Sequence, residues 1–289
     1  MRYSDFHLPD TVRLFVGTRR IQDYEQLQKL AVCLERNGLS WLWADAPGSA
    51  LGAHRAAEPD FEALDTLRAV ARSFELKTLS SVFGLSQLSH LAQQVDALLI
   101  CGDDMDNTEL LAAVGQQSAP DQQPVLLVRN KAAMLEELLV AADLLTAWHN
   151  PNVMFCESGI RSFETAYPLT LDITAVPLLQ QRSLLPVAVE VSAAAQVALQ
   201  PALARAALAA GADALLITVE PTTGLDAEQE QAGERWDGAS KKVEPTPGLP
   251  QQQLGQAHPS AAGALSIREF EEILPGLRHL AAQLGKKII

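Results

Sequence analysis

The sequence predicts an α/β protein, and within that class a (β/α)8 barrel. Eight short apolar runs alternate with longer helical patterns from one end of the chain to the other. The runs are rich in Val, Leu and Ile and apolar on both faces, as parallel strands buried between two layers are. The length of 289 residues suits one barrel of this kind, which takes about 250. An open doubly wound sheet is the alternative, but no G-x-G-x-x-G turn follows the first run. The chain is therefore read as a single barrel domain over 1–289.

The first strand is expected at 12–17. Helix 24–37 follows, with Leu27, Leu30, Ala31 and Leu34 on one stripe and Gly38 as its stop. The second strand, 40–45, carries Trp41 and Trp43 on one face. Helix 61–74 carries Leu64, Leu67 and Val70, and strand 77–83 follows. Helix 85–94 has a weaker pattern and leads to strand 97–102. Helix 107–117 is expected to open with a capping box formed by Asp106 and Glu109. Strand 124–130, helix 131–148 and strand 152–158 come next. A weak helix at 170–183 precedes strand 185–192, and an Ala-rich helix at 197–210 stops at Gly211. The eighth strand is 214–221. The last helix starts at a capping box, Ser266 with Glu269, and runs to Gly285. Between them, 222–262 is dense in Gln, Glu, Gly and Pro and lacks an apolar period. It reads as a flexible insertion, a disordered segment in preference to a lid or a docking segment, with Trp236, its one aromatic residue, as an anchor.

Composition narrows the function classes. The 35 acidic against 22 basic side chains give a formal charge of −13, which argues against nucleic acid and anionic membrane surfaces as partners. A small anionic ligand needs only two or three well-placed cations and stays open. Cys33, Cys101 and Cys156 fit no zinc spacing and read as reduced thiols of a cytoplasmic protein. No apolar h-region opens the chain, and no run approaches a membrane span. The six histidines show no ligand spacing, so no metal and no other cofactor is expected from the residues.

The middle of the chain resembles a known family. Asn150-Pro151-Asn152-Val153, followed by Cys156-Glu157-Ser158-Gly159-Ile160-Arg161-Ser162-Phe163-Glu164, is similar to the N-P-N-V…C-E-R-G-I-R-T-F-E signature of class I 3-deoxy-7-phosphoheptulonate (DAHP) synthases and the related KDO-8-phosphate synthases. The blocks 106–111, 170–177 and 204–213 extend the likeness, which covers about residues 12–285. The resemblance implies a (β/α)8 barrel. It also implies condensation of phosphoenolpyruvate (PEP) with a phosphorylated aldose, using a divalent metal in the DAHP synthases. Strand ends, where a barrel carries its chemistry, are the places to look for the residues concerned.

Those residues are not there. Where the family's first strand ends in A-G-P-C with a metal-binding cysteine, this chain has Val16-Gly17-Thr18-Arg19. The seventh strand's D-P-S-H is Glu190-Val191-Ser192-Ala193, without the histidine. The eighth strand's ligand glutamate is Thr218, within Thr218-Val219-Glu220-Pro221. The last ligand, an aspartate, falls near Ser260, unless Asp237 restores it. The PEP lysine of L-K-R-G is Val128, although Arg129 remains, and the arginine of C-E-R-G is Ser158. The substrate loop after the second strand has lost its arginine and lysine, and Asp103 replaces the arginine of G-A-R-N. Asp45, Asp103, Asp104, Glu157, Glu190 and Glu220 now crowd the strand ends. A lost charge-assisted phosphate contact costs about 1.5–3 kcal/mol, and several are lost together.

The binding candidates that remain are Arg19, Asp103, Arg129, Glu157, Arg161, Glu190 and Glu220, the residues of a relic pocket. Arg19, Arg129 and Arg161 have the chemistry for a small anion site, or else neutralise the nearby acids. Glu157 and Glu190 have the chemistry of a general acid and base, but no nucleophile, metal or electrophile clamp accompanies them, so no catalytic residue is assigned. Cys156 has no base partner and reads as a buried thiol. The expectation is a DAHP synthase-like protein that has lost the condensation and kept a binding, assembly or regulatory role, as a homo-oligomer or with an active paralogue. The alternatives are altered chemistry in the same pocket, or a still active synthase of the shikimate pathway.

Overall fold

The protein is described by a computed structural model, covering residues 6, 10–21, 23–46, 60–164, 167, 169–194, 197–220 and 264–289. The expected insertion at 222–262, with Trp236 and Asp237, lies outside the described residues.

Eight parallel strands close on one another. They are β1 (Thr11–Thr18), β2 (Trp41–Ala44), β3 (Lys77–Val82), β4 (Ala97–Ile100), β5 (Val125–Val128), β6 (Val153–Glu157), β7 (Val187–Glu190) and β8 (Ala214–Thr218). Each pairs with the next in sequence, β8 pairs with β1, and β1 pairs with β2, so no edge is left in the ring. The helices between them are α1 (Tyr24–Arg36), α2 (Phe61–Ser73), α3 (Leu85–Gln94), α4 (Thr108–Ser118), α5 (Leu135–Thr146), α6 (Ala175–Arg182), the four-residue α7 (Val191–Ala194), α8 (Gln200–Ala209) and α9 (Ile267–Gln283). This is the (β/α)8 barrel that the sequence predicts. A two-residue strand, β9 (Lys287–Ile288), adds to β1 below the ring; neither it nor α7 is visible as a pattern in the sequence.

Strand alternation sorts the apolar residues into two cores. Leu14, Val16, Leu98, Leu127, Phe155, Val189 and Leu215 point outward and pack beneath the helices. Phe15, Trp41, Trp43, Leu79, Leu99, Leu126, Met154, Cys156, Ala188 and Leu216 fill the barrel. Phe6 plugs the lower end, where its ring lies 5.6 Å from Phe15 and 5.9 Å from Trp41. The barrel interior is thus a packed core up to the level of Trp43, and only the strand ends above it are open to chemistry.

The blocks that carry the family likeness hold the scaffold. The Asn150 side chain donates to Ser118 Oγ at 2.9 Å and to the Gln123 carbonyl at 2.7 Å, and the Asn152 amide donates to the Gln122 carbonyl at 2.6 Å. Together they tie the start of β6 to the loop before β5. Asp213 accepts from the Val187 backbone N–H at 3.0 Å and pairs with Lys286 at 3.4 Å, which fixes β7, β8 and the chain's last turn.

Four helix starts differ from the pattern. Asn107, not Asp106, caps α4, taking the Leu110 N–H at 3.2 Å; Glu109 faces solvent. Helix α5 begins four residues later than its amphipathic pattern, because Asn130 Oδ1 accepts from the Ala132 N–H and bends the chain there. Helix α6 begins at Ala175, since Thr170 is paired with Ile160 and the Asp172 carboxylate takes the Ala175 N–H. A 3-10 turn over Val197–Leu199 precedes α8, where Pro201 occupies the first turn. The Ser266–Glu269 capping box is formed as expected, with both reciprocal bonds present.

Candidate functional site

Inward-facing residues at the strand ends build the mouth of the barrel. On β1 the inward row is Phe15, Gly17 and then Arg19. Gly17 lies in register with Trp43 on β2 and Thr218 on β8. A Cβ there would meet the Trp43 carbonyl oxygen at 1.5 Å, so only glycine lets β1 and β2 approach. Arg19 emerges above it, with its guanidinium carbon 5.6 Å from the centre of the Trp43 ring.

Arg19 forms an ion pair with Glu190 at the end of β7. Glu190 is buried, whereas the Arg19 side chain is 44% exposed. The Glu190 carboxylate, helped by Asp45, raises the arginine's pKa above its usual value, against the effect of burial. Asp45 follows β2 and accepts the Ser81 N–H at 2.9 Å. Burial pushes its pKa up to about 6, and the Ser81 bond and Arg19 only partly offset this. Burial also raises Glu220, with Arg19 acting the other way. Cys101, at the end of β4, is pushed up to about 12 by burial and the nearby Asp45. Burial raises Cys156 well above the thiol range, so it is an inert core thiol, as its sequence context suggests. Two buried polar atoms in the same region have no partner: Thr218 Oγ1 and Trp43 Nε1.

Arg129, Glu157 and Asp172 form a separate cluster. The outward row of β5 is Val125, Leu127 and then Arg129; that of β6 is Val153, Phe155 and Glu157. Arg129 Nη1 lies 3.0 Å from Glu157 and 3.0 Å from Asp172, and its Nε donates to the Ala133 carbonyl at 3.1 Å. Glu157 also accepts backbone N–H groups from Gly159 at 2.8 Å and Asp172 at 3.3 Å. Burial raises its pKa, and the bonds from Arg129 and the two amides hold the rise back. This cluster braces the loop before α6 against the sheet.

The expected residues therefore divide. Arg19, Glu190 and Glu220 meet at the barrel mouth. Arg129 and Glu157 belong to the outer face, because each lies an odd number of residues from the inward positions of its strand. The three arginines do not converge on one anion. Arg161 is exposed at the end of β6, its backbone N–H held by the Lys131 carbonyl at 2.8 Å. Asp103 is exposed and pairs with Lys131 at 3.5 Å. Glu157 and Glu190 cannot share a substrate as acid and base, since they face opposite sides of the sheet. Sequence reasoning missed the ionic role of Asp172, which sits in a block read as scaffold. It also passed over the Thr218 hydroxyl as a group in its own right.

The donor set does not fit the metal that the family resemblance implies. Arg19 occupies the cysteine position with its charge turned to Glu190, and Ala193 and Thr218 stand at two other ligand positions. Among the described residues no three His, Cys, Asp or Glu side chains converge to hold an ion. A groove of about 430 Å³ between α1 and α9, lined in part by Lys29, Val32, Cys33 and Glu271, lies on the outer wall, away from the strand ends.

Comparison with known proteins agrees with the scaffold. Residues 58–235 match the model of the DAHP synthetase I family. Over 231 residues, 75% of this chain and 67% of the relative, the sequence is 29% identical to the phospho-2-dehydro-3-deoxyheptonate aldolase of Thermotoga maritima. The crystal structure of a Thermotoga maritima enzyme of that name superposes with a TM-score of 0.79 at 26% identity, over 97% of this chain and 72% of the other. A truncated 3-deoxy-D-arabino-heptulosonate 7-phosphate synthase from the same organism gives 0.76 at 26% identity, over 97% and 90%. The matched segment spans more than half of the sequence and includes the scaffold blocks at β6 and α6. The chain belongs to the DAHP synthetase I family.

Proposed function

We propose that this member of the family does not condense PEP with a phosphorylated aldose. Its barrel would serve binding, assembly or regulation, as a homo-oligomer or alongside an active paralogue in the cytoplasm. The observation that carries this reading is the Arg19–Glu190 ion pair at the barrel mouth. The resemblance puts a metal-binding cysteine at 19, and a cation there repels a divalent ion. Val128 and Ser158 supply no charge to a phosphate or carboxylate. Arg129 is already held by two carboxylates outside the lumen. The three cysteines are unpaired thiols, and no described helix is long and apolar enough to cross a membrane, both in keeping with a cytoplasmic place.

A second reading is an active 3-deoxy-7-phosphoheptulonate synthase of aromatic amino acid biosynthesis. The family match and the names of the relatives favour it. PEP consumption by the purified protein with erythrose 4-phosphate and manganese separates the two. Our reading expects no turnover and no binding heat with PEP alone. Turnover at ordinary enzyme rates supports the second reading and overturns the first. Co-purification with an active synthase would test the assembly role directly.

A further inference from the structure

We infer that the barrel mouth binds a small organic cation, an amine that also carries hydroxyl or carbonyl oxygen. The proposal rests on the reading that the family's anionic substrates are not taken here.

Charge is the first argument. One guanidinium, Arg19, pairs with Glu190 at the end of β7 and interacts electrostatically with Asp45 and Glu220 at the ends of β2 and β8. Three carboxylates against one cation leave the mouth short of positive charge. Nearby Lys131 does not fill the deficit, because it is engaged with Asp103 at 3.5 Å. A ligand bearing positive charge restores the balance, whereas a phosphate or carboxylate makes it worse.

The orphan polar atoms are the second, independent argument. Thr218 is 2% exposed, its backbone N–H donates to Ser192 Oγ at 2.8 Å, and its own hydroxyl has no partner. It continues the inward row of β8 one step above Leu216, which is the register partner of Glu190. Trp43, 1% exposed, holds an unpaired indole N–H in the same interior. Buried polar groups in folded proteins are nearly always paired, so two orphans on the inward rows of β2 and β8 point to a bound group. An indole only donates, and it needs an oxygen acceptor on the ligand. An inorganic ion does not meet both demands. The carboxylates do not converge on a point, and a bare cation offers nothing to an N–H donor.

The test is calorimetry on the full chain with three probes of graded charge: glucosamine, glucose and PEP. We expect glucosamine to bind at least about tenfold more tightly than glucose, the value of one charge-assisted contact, and PEP to bind weakest. Glu220→Gln, at an exposed position that does not threaten folding, should weaken glucosamine several-fold. Arg19→Gln should tighten it, since it removes the competing cation. PEP binding best, glucose matching glucosamine, all three failing to bind, or Arg19→Gln weakening the amine would each overturn the proposal. Turnover with PEP and erythrose 4-phosphate would overturn the reading it rests on. Absence of turnover together with absence of amine binding would overturn this inference alone.

Discussion

Arg19 and Glu190 stand 171 residues apart in sequence, at the ends of β1 and β7, and meet across β8 to span the mouth of the barrel. The register sets Glu190 level with Leu216 and Phe15, so the Arg19 side chain, one residue past β1, reaches back toward β7 to make the pair. The pair converts a position that the family resemblance assigns to a metal ligand into an internal counter-ion. Restoring the ligand type should not restore the site. Arg19→Cys leaves Ala193 and Thr218 in place, and no convergent donor set arises. Calorimetry with manganese should show no uptake by this variant; tight binding would mean that the strand ends can rearrange into a metal centre.

The Arg129 cluster is the buried electrostatic anchor. The arginine side chain is 7% exposed, and Glu157 is fully buried against it at 3.0 Å. Arg129→Met should destabilise the fold by about 3–5 kcal/mol, because it strands a buried carboxylate. The double variant Arg129→Met, Glu157→Gln should recover much of that loss. Urea unfolding of the three proteins checks this, and equal losses in the single and double variants would contradict it.

The fold was legible because every strand is a short apolar run between helical patterns, and the count of eight leaves few other arrangements. The content of the candidate site was only half legible. Sequence shows that Arg19 and Glu190 stand at strand ends, and the period of two says which face each takes. It does not mark the exact end of a strand, and one residue of shift moves a side chain to the other face. Arg129 and Glu157 were grouped with the mouth for that reason. Asp172 escaped notice because its partner lies 43 residues earlier, on an element it touches only after the loop before α6 has folded.

Asp45 should make stability pH-dependent in an unusual sense. Its pKa is raised from 3.8 to about 6 by burial, so the folded state holds its proton more tightly than the unfolded chain does. Between those values the native state binds more protons, and stability falls as pH rises. The penalty is absent below the unfolded pKa and complete above the folded one, and it amounts to about 3 kcal/mol from the size of the shift. Glu157 and Glu220 are raised too and act in the same direction. Asp45→Asn keeps the acceptor for the Ser81 N–H and removes the charge. Urea midpoints measured from mildly acidic to neutral pH should fall less steeply for this variant than for the parent. Identical slopes would show that Asp45 ionises freely.

Gly17 marks a close approach of β1 to β2. An added methyl would lie 1.5 Å from the Trp43 carbonyl oxygen and 2.3 Å from its carbon, both backbone atoms that cannot rotate away. Gly17→Ala should therefore part β1 from β2 and cost at least about 3 kcal/mol, at the upper end of overpacking effects. A thermal midpoint close to that of the parent would show that the two strands separate without strain.

Thr218→Val distinguishes an orphan hydroxyl from a structural one. The two side chains have the same shape, and the threonine hydroxyl has no partner although the residue is 2% exposed. A buried hydroxyl without a partner carries its desolvation cost unrelieved, about 1–3 kcal/mol. Its replacement by a methyl group should leave the free protein as stable as before, or more stable by about 1 kcal/mol. The same change should weaken glucosamine binding, because it removes the one neutral group on β8 that faces the ligand. Chemical unfolding of the free protein and calorimetry with the amine read the two effects separately. A loss of stability would mean that the hydroxyl is part of the scaffold; unchanged stability with weakened binding assigns it to the ligand.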